Sequence, residues 1–285
     1  MADLSVFIKN KWQNTSYLPS KIISNRNFTK YSGQDYIYGM NITRTDRCVG
    51  IFKGLGNRGR EFSGTAGEFM MESLKDEWDK LKSYCVESKN KLTNLIRNMV
   101  SMLEEYLDIK YGDLEDGGGA LMTLLCIFKH SGKMMAFTVN IGDMPCLMFN
   151  RKEKTLKHMW EDHSPDNINE FRKYSHRVDR DKQQPFVYGN FVDPPLTIFG
   201  YVNNVLKVNK KNLELLSKAT KFCKTVRHTN PDATVNGMTK YTRQLGSFKI
   251  KKKCYLLCEP SVFVEEITTD HYFVLGNTGF FNLWR

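Results

Sequence analysis

Asp162, His163 and Ser164 are consecutive and contain side chains that can transfer protons or act as a nucleophile. A carboxylate beside an imidazole can orient it for acid-base chemistry, which is one interpretation of this motif. An isolated Asp-His pair is more often a turn whose side chains cap the next helix, here Ser164 or Asp166 for a short helix through Tyr174. No Gly-x-Ser-x-Gly elbow and no Cys-His pairing support a nucleophile. The residues therefore favour a structural role for this motif.

The glycine and cysteine spacings do not define a cofactor site. Gly54, Gly56 and Gly59 follow a predicted strand, but the Gly-x-x-x-x-Gly-Lys-Ser/Thr pattern of a phosphate loop is missing. Cys254 and Cys258 lack the second pair of ligands that a tetrahedral zinc site needs. The seven cysteines are an odd number and several lie in apolar runs, which predicts reduced thiols and an intracellular protein. We expect no bound cofactor.

The composition is that of a folded protein with an excess of positive charge. The 285 residues are 41% hydrophobic and 26% charged, which excludes a largely disordered chain. No apolar run reaches the roughly 18 residues of a membrane-spanning helix, and the N-terminal residues do not have the pattern of a secretory signal. The 42 Lys and Arg against 31 Asp and Glu give a net charge of +11, which favours an acidic protein face, nucleic acid or anionic lipid as the partner.

Two lysine-rich segments are predicted to be the interaction faces. The first is expected to be a basic amphipathic helix over residues 207–227, and the second follows at residues 249–253. Their cationic residues are Lys207, Lys210, Lys211, Lys218, Lys221, Lys224, Arg227, Lys249, Lys251, Lys252 and Lys253. No nucleic-acid motif with interleaved aromatic residues accompanies them. We therefore expect a protein partner with an acidic face, and nucleic acid stays an alternative.

Hydrophobic periodicity predicts a mixed α and β fold in the first 160 residues. Strands are expected at 35–42 and 47–52, the second of them ending in the glycine-rich turn. Two amphipathic helices, at about 67–86 and 92–107, should form an antiparallel hairpin that covers a sheet. A continuously apolar strand at 120–128 then begins an antiparallel meander.

The second half of the chain is harder to assign from its pattern. The segment 228–246 is rich in turn-forming residues and is expected to be an exposed loop. Two further strands are predicted within 252–264 and 271–284.

The order of these elements and of several short motifs resembles the 2C-type metal-dependent protein phosphatases. That family has an aromatic-Asp-Gly-His-Gly-Gly turn, a helix hairpin, a Ser-Gly-Ser-Thr-Ala strand, a Gly-Asp-Ser turn, an Asp-His-x-Pro motif and a late Ser-Asp-Gly-hydrophobic-Trp-Asp segment. The corresponding segments here are Phe52 to Asn57, Asp116 to Ala120, Gly142 to Met144, Asp162 to Pro165 and Asn277 to Asn282.

The resemblance spans residues 35–285 and implies an α/β sandwich of two mostly antiparallel sheets flanked by helix hairpins. Residues 1–34 would be an N-terminal extension, and 176–250 a divergent, lysine-rich insertion of loops. In the resembled family the Asp-His-x-Pro motif is a structural signature.

The resemblance also implies a two-metal site whose ligands this sequence lacks. In the family, carboxylates hold two divalent cations that activate a water for attack on a phosphoryl group. Lys53 stands where the bridging Asp of the turn belongs, Leu55 where its His belongs, and Thr278 where the late Asp belongs. An ammonium group repels divalent cations. We therefore expect a degenerate site at the positions Lys53, Gly54, Leu55, Asp143, Thr278 and Asn282, with no metal bound.

These expectations lead to three functional hypotheses. The leading one is a catalytically inactive pseudophosphatase that acts as an interaction or structural assembly module, possible contexts being a large complex or a virion, with Asp143 paired to Lys53 in place of the metal. The second is a divergent but active Mg²⁺- or Mn²⁺-dependent Ser/Thr phosphatase, with Asp143 joined by Asp46 or Asp35 as ligands. The third is a basic nucleic-acid-binding protein whose affinity falls steeply with salt.

Overall fold

The computed structural model describes residues 28–113, 118–175, 186–187, 199–203, 205–212, 234–235, 238–254 and 256–277. The helices are α1 (Gly59–Asp76), α2 (Trp78–Glu87), α3 (Lys89–Tyr111), α4 (Ile168–Ser175) and α5 (Phe248–Cys254). The strands are β1 (Phe28–Ser32), β2 (Asp35–Asn41), β3 (Arg47–Gly56), β4 (Gly118–His130), β5 (Lys133–Ile141), β6 (Cys146–Asn150), β7 (Thr155–His158), β8 (Phe186–Val187), β9 (Phe199–Val202), β10 (Val205–Val208), β11 (Thr234–Val235), β12 (Leu245–Gly246), β13 (Ser261–Ile267) and β14 (His271–Leu275).

Two antiparallel sheets form the centre of the fold. The larger sheet has the order β1-β2-β3-β4-β5-β13, with β12 also paired to β4, and the smaller sheet has the order β14-β6-β7. Along β4, Leu124 and Cys126 belong to the core that contains the helices, whereas Leu125 and Ile127 belong to the core shared with β6. Because side chains alternate between the two faces of a strand, both faces of β4 are covered. The predicted α/β sandwich of mostly antiparallel sheets is confirmed.

The helix hairpin is present, but its first helix begins earlier than predicted and is broken. Glu77 separates α1 from α2, and Ser88 alone separates α2 from α3. The predicted range 67–86 is wrong because the first turns of α1 contain glycines in place of an apolar stripe. A Cβ on Gly67 would lie 2.7 Å from Cδ2 of Tyr38, so this glycine lets the helix approach the sheet closely. No helix among the described residues is long and apolar enough to span a membrane.

The predicted meander is wrong at its centre, because the chain changes sheets between β5 and β6. Gly142 makes this change with a φ of 86°, a conformation that favours glycine. A Cβ at this position would also lie 2.5 Å from a methyl group of Leu121. Strand alternation alone does not record which sheet a strand joins, so the change of sheet was invisible in the pattern.

Four expectations for the later part of the chain need correction. Of the helix predicted over 207–227, residues 207–208 belong to the strand β10, residues 210–212 are helical, and residues 213–227 lie outside the described residues. The end of the predicted exposed loop is buried from Thr242 to Ser247, because β12 pairs with β4. Residues 248–254 are helical, so the strand predicted over 252–264 begins only at Ser261. The Asn167 side chain, which the sequence pattern did not indicate as a cap, accepts the Asn169 backbone N–H at the start of α4 (2.9 Å).

Candidate functional site

The ends of four strands, β2, β3, β4 and β5, lie together at one end of the central sheet and bring together several of the predicted site residues. Asp35 at the start of β2 is directly opposite Lys53 near the end of β3. Lys53 is also opposite Leu121 of β4, whose neighbour Met122 pairs with Ile141 at the end of β5. Asp143 follows β5 by two residues, so the same end of the sheet contains Lys53 and Asp143 of the predicted degenerate site.

Asp35 and Lys53 lie beside the point where β3 and α1 approach each other closely, at Gly54 and Gly59. Burial raises the pKa of Asp35, and the charge of Lys53 opposes this shift. The Asn277 amide donates a hydrogen bond to the Asp35 carboxylate at 2.9 Å. A Cβ on Gly54 would lie 2.7 Å from the Gln34 carbonyl oxygen, so only glycine fits there. The neighbouring strand β3 thus supplies an ammonium group opposite the Asp35 carboxylate.

Asp143 and Asp162 form a second acidic pair next to the strand ends. Burial raises the pKa of Asp162 to about 7, and the nearby charge of Asp143 adds to this shift. One Asp162 oxygen accepts a hydrogen bond from Ser164 Oγ at 2.9 Å, and the other is buried with no hydrogen-bond partner among the described residues. A bound proton or a single cation would therefore stabilise this pair of carboxylates.

A third acidic cluster is filled by a buried arginine that the sequence reasoning missed. Arg243 is 1% exposed, and its Nε donates to Glu170 Oε2 at 2.9 Å while Nη2 pairs with Oε1 of the same carboxylate. Its Nη1 donates to the Glu259 carbonyl at 2.9 Å. Burial alone would raise the pKa of Glu170, but the hydrogen bonds and charge of Arg243 hold it below the usual value. This is a bidentate buried ion pair.

His163 is fixed in one tautomer by this cluster. Its Nδ1 accepts the Gly142 backbone N–H at 2.9 Å, so the proton of the neutral ring is on Nε2, which lies 2.9 Å from Ser261 Oγ. Ser261 Oγ in turn donates to Glu161 at 2.5 Å. Burial lowers the pKa of His163 to about 4, which keeps the ring neutral. The imidazole therefore donates to Ser261 instead of accepting its proton, so the arrangement does not activate a serine nucleophile.

Ligand atoms of Glu161, His163 and Glu170 lie within 4.8 Å of one another, as a metal site would require. A metal ion does not fit this group, because Arg243 already neutralises it with its guanidinium and both His163 nitrogens have hydrogen bonds. Sequence reasoning could not find the cluster, since Arg243 lies in a segment with turn composition and no periodicity. The one feature of the sequence that pointed to the cluster was Glu170 on α4, and by itself this residue resembles an ordinary surface glutamate.

The predicted interaction lysines are placed in different environments. Lys207, Lys210, Lys211 and Lys249 are exposed. The Lys251 ammonium pairs with the Glu104 carboxylate and lies 5.5 Å from the centre of the Phe248 ring. Lys252 and Lys253 belong to α5. Lys218, Lys221, Lys224 and Arg227, together with Thr278 and Asn282 of the degenerate site, lie outside the described residues. The predicted ion pair between Lys53 and Asp143 stays a prediction.

Comparison with known proteins supports the fold and goes no further. No protein-family model and no curated protein matches the chain. Among solved structures, a C. elegans sex determining protein has 16% identity and a TM-score of 0.54, covering 91% of this chain and 52% of its own. A serine-threonine phosphatase 2C from Toxoplasma gondii has 14% identity and a TM-score of 0.56, covering 90% and 78%. A bacterial serine phosphatase has 13% identity and a TM-score of 0.50, covering 90% and 78%.

These likenesses show that the chain has the fold of the 2C-type Ser/Thr phosphatases. The chain spans about half the length of the first of these proteins, the C. elegans one. At such low identity the comparison defines the fold but assigns no activity.

Proposed function

We propose that this protein is a catalytically inactive member of the phosphatase 2C fold that serves as a protein-interaction or structural assembly module. The observation that carries the proposal is Lys53, which lies across from Asp35 at the end of the central sheet. A two-metal phosphatase needs carboxylates there, because they bind the cations and the cations activate the water.

The electrostatic cost of a cation beside Lys53 is large. At 4 Å and an effective dielectric constant of 20, a divalent cation and an ammonium group repel each other by about 8 kcal/mol, twice the value for two unit charges. The acidic residue directly opposite Lys53, Asp35, already has the Asn277 amide as a hydrogen-bond donor. The Asp35 carboxylate alone does not provide the ligand set that two cations need, so we infer that the site favours its own internal cation over bound metal.

The buried arginine cluster supports the same function. Arg243 neutralises the acidic side chains that come closest to a metal-ligand group among the described residues. The described fold is therefore held by an internal ion pair, Arg243 with Glu170, at a place where a bound cation would be an alternative. A protein that keeps the shape of the fold without its metal chemistry is suited to present surfaces to partners.

The direct test of inactivity is hydrolysis of a phosphoserine peptide in Mn²⁺, monitored by released phosphate. We expect no release above the rate without protein, and no difference between the wild-type protein and Asp143→Ala. Mn²⁺-dependent release that Asp143→Ala abolishes would overturn the proposal and establish a divergent active enzyme.

One observation favours that second function, a divergent Mg²⁺- or Mn²⁺-dependent phosphatase. The buried oxygen of Asp162 without a partner, next to Asp143, is where a cation would be stabilised. Asp46 does not belong to this group, because it lies at the opposite end of β3, about 20 Å from Lys53 at 3.3 Å per residue. Its carboxylate is held by Trp78 Nε1 at 2.9 Å and Lys82 Nζ at 3.2 Å. The expectation that Asp46 supplies a ligand is therefore wrong.

A further inference from the structure

A cleft of about 500 Å³ opens between the start of α3 and the edge strand β13. It is lined in part by Arg243 and Glu161 of the buried cluster, and it was not indicated by the sequence. The volume is within the range of sites that bind small molecules or peptide segments. Of its four cationic side chains, Arg243 pairs with Glu170 and Lys173 with Glu161, which leaves Lys89 and Arg97 to favour an anionic occupant.

The cations on α3 form a regular stripe along one wall of the cleft. Lys89, Thr93 and Arg97 are spaced by four residues, which places them on one face of the helix. Lys89 Nζ lies 5.4 Å from the centre of the Phe263 ring. Within the described part of the chain, neither Lys89 nor Arg97 has a carboxylate within 4 Å. Both charges are thus available to a ligand.

The other wall contains the free edge of a strand. β13 pairs with β5 on one side, and among the described strands nothing pairs with its other side. Ser261, Val262 and Phe263 of this strand line the cleft. In an antiparallel pair, alternate residues direct their N–H and C=O groups away from the partner strand. Such an edge can accept an extended peptide as an additional strand.

The dimensions of the two walls match an extended chain. Lys89 and Arg97 are eight residues apart on the helix, or about 12 Å at 1.5 Å per residue. Residues i and i+4 of an extended strand lie on the same face and are about 13 Å apart. A strand with acidic residues at this spacing would place one carboxylate near each cation.

We propose that this cleft binds an extended acidic segment of a partner protein, which adds to the free edge of β13 and directs its carboxylates to Lys89 and Arg97. The proposal rests on the proposed function for the existence of a protein partner, but it does not depend on the absence of catalysis. Metal binding and hydrolysis therefore test the proposed function separately from the cleft.

The test is fluorescence anisotropy with a labelled octapeptide of alternating Glu and Val, whose strand conformation has all four Glu on one face. We expect saturable binding, and a loss of affinity of about tenfold or more in the double variant Lys89→Glu, Arg97→Glu, because charge reversal at an interface adds like-charge repulsion. Lys91→Glu is the matched control, since Lys91 is on the same helix but does not line the cleft; its affinity should stay within about twofold.

Two further measurements make the result decisive. The same peptide with alternate Val amides N-methylated should bind more weakly, because it cannot form all the backbone hydrogen bonds of an added strand. Circular dichroism should show that all variants are folded. Equal affinity in the double variant and in Lys91→Glu would overturn the proposal. So would retained peptide binding in a double variant that has lost affinity for an oligothymidylate, since the cleft would then be a nucleic-acid site.

Discussion

Arg243 is the largest fully buried side chain among the described residues. Its guanidinium is bidentate to Glu170 and also reaches the Glu259 carbonyl, with almost no solvent exposure. Removing one partner of such a pair leaves a buried charge without compensation. No pattern in the sequence marks this residue, because burial of a charged side chain depends on a partner 73 positions away.

We expect Arg243→Ala to lower the free energy of unfolding by roughly 3 to 5 kcal/mol, the usual result of breaking a buried ion pair. Urea denaturation followed by circular dichroism measures this change. The exposed pair of Lys91 and Glu87 supplies the control, and Lys91→Ala should leave the denaturation midpoint nearly unchanged. A midpoint for Arg243→Ala equal to that of the control would contradict the importance of the cluster.

Asp162 predicts a pH dependence with a defined sign. Its pKa is raised from 3.8 to about 7 in the folded protein, so folding takes up a proton between these values. The stabilisation from the protonated carboxyl is fully present below pH 3.8 and is lost as pH rises through 7. We therefore compare the free energies of unfolding of Asp162→Asn and of the wild-type protein at pH 4 and above pH 7. Between these two conditions, the difference should shift in favour of the variant by up to about 4 kcal/mol.

His163 contributes in the opposite direction, because its pKa is lowered to about 4 and the unfolded chain takes up the proton first. Its stabilisation is present above pH 6.5 and is lost as pH falls towards 4. Unfolding of Asp162→Asn and wild type in urea at several pH values isolates the Asp162 effect, since His163 is common to both. A difference between the two proteins that does not change with pH would refute the buried position of Asp162.

At the scale of elements, the helix-to-sheet contact depends on two glycines of α1. Tyr38 of β2 packs under the helix, and its hydroxyl donates to the Gly64 carbonyl at 2.9 Å. A Cβ on Gly64 would lie 3.2 Å from the Tyr36 ring, whereas one on Gly67 would overlap the buried Tyr38 ring. Glycine weakens an isolated helix, so its presence here reflects close packing.

Gly67→Ala should therefore destabilise the protein by about 1 to 3 kcal/mol, although alanine has the higher helix propensity. Gly64→Ala should cost less, because its contact with Tyr36 is looser. Thermal unfolding of both variants measures the order. If Gly67→Ala were the more stable of the two, the close approach of α1 to β2 would be contradicted.

The sequence predicted elements well where one face of a helix or strand is apolar. The strands β2 to β5 and the helix α3 follow this rule, and their approximate positions were found. Prediction from the sequence was wrong where close packing or long-range pairing decides the structure, as at the glycine-rich start of α1 and at β12. Leu245 and Gly246 form a strand only because β4 offers Ala120 and Gly119 as partners, which local composition does not record.

At the scale of the whole molecule, the fold separates two kinds of surface. One end of the central sheet contains Asp35, Lys53 and Asp143, where the 2C-type resemblance implied a metal centre. The free edge of β13 and the start of α3 form a cationic cleft that Arg243 also lines. The resemblance predicted the architecture, whereas the cleft required the spatial pairing of strands far apart in sequence.

The central claim is that the end of the sheet at Lys53 does not bind a pair of divalent cations. Isothermal titration calorimetry of the wild-type protein with MnCl₂ tests it directly, and Lys53→Asp serves as the comparison with one carboxylate restored. We predict no saturable two-site binding to the wild-type protein and stronger Mn²⁺ binding to Lys53→Asp. Two equivalents of tightly bound Mn²⁺ in the wild-type protein would contradict the account.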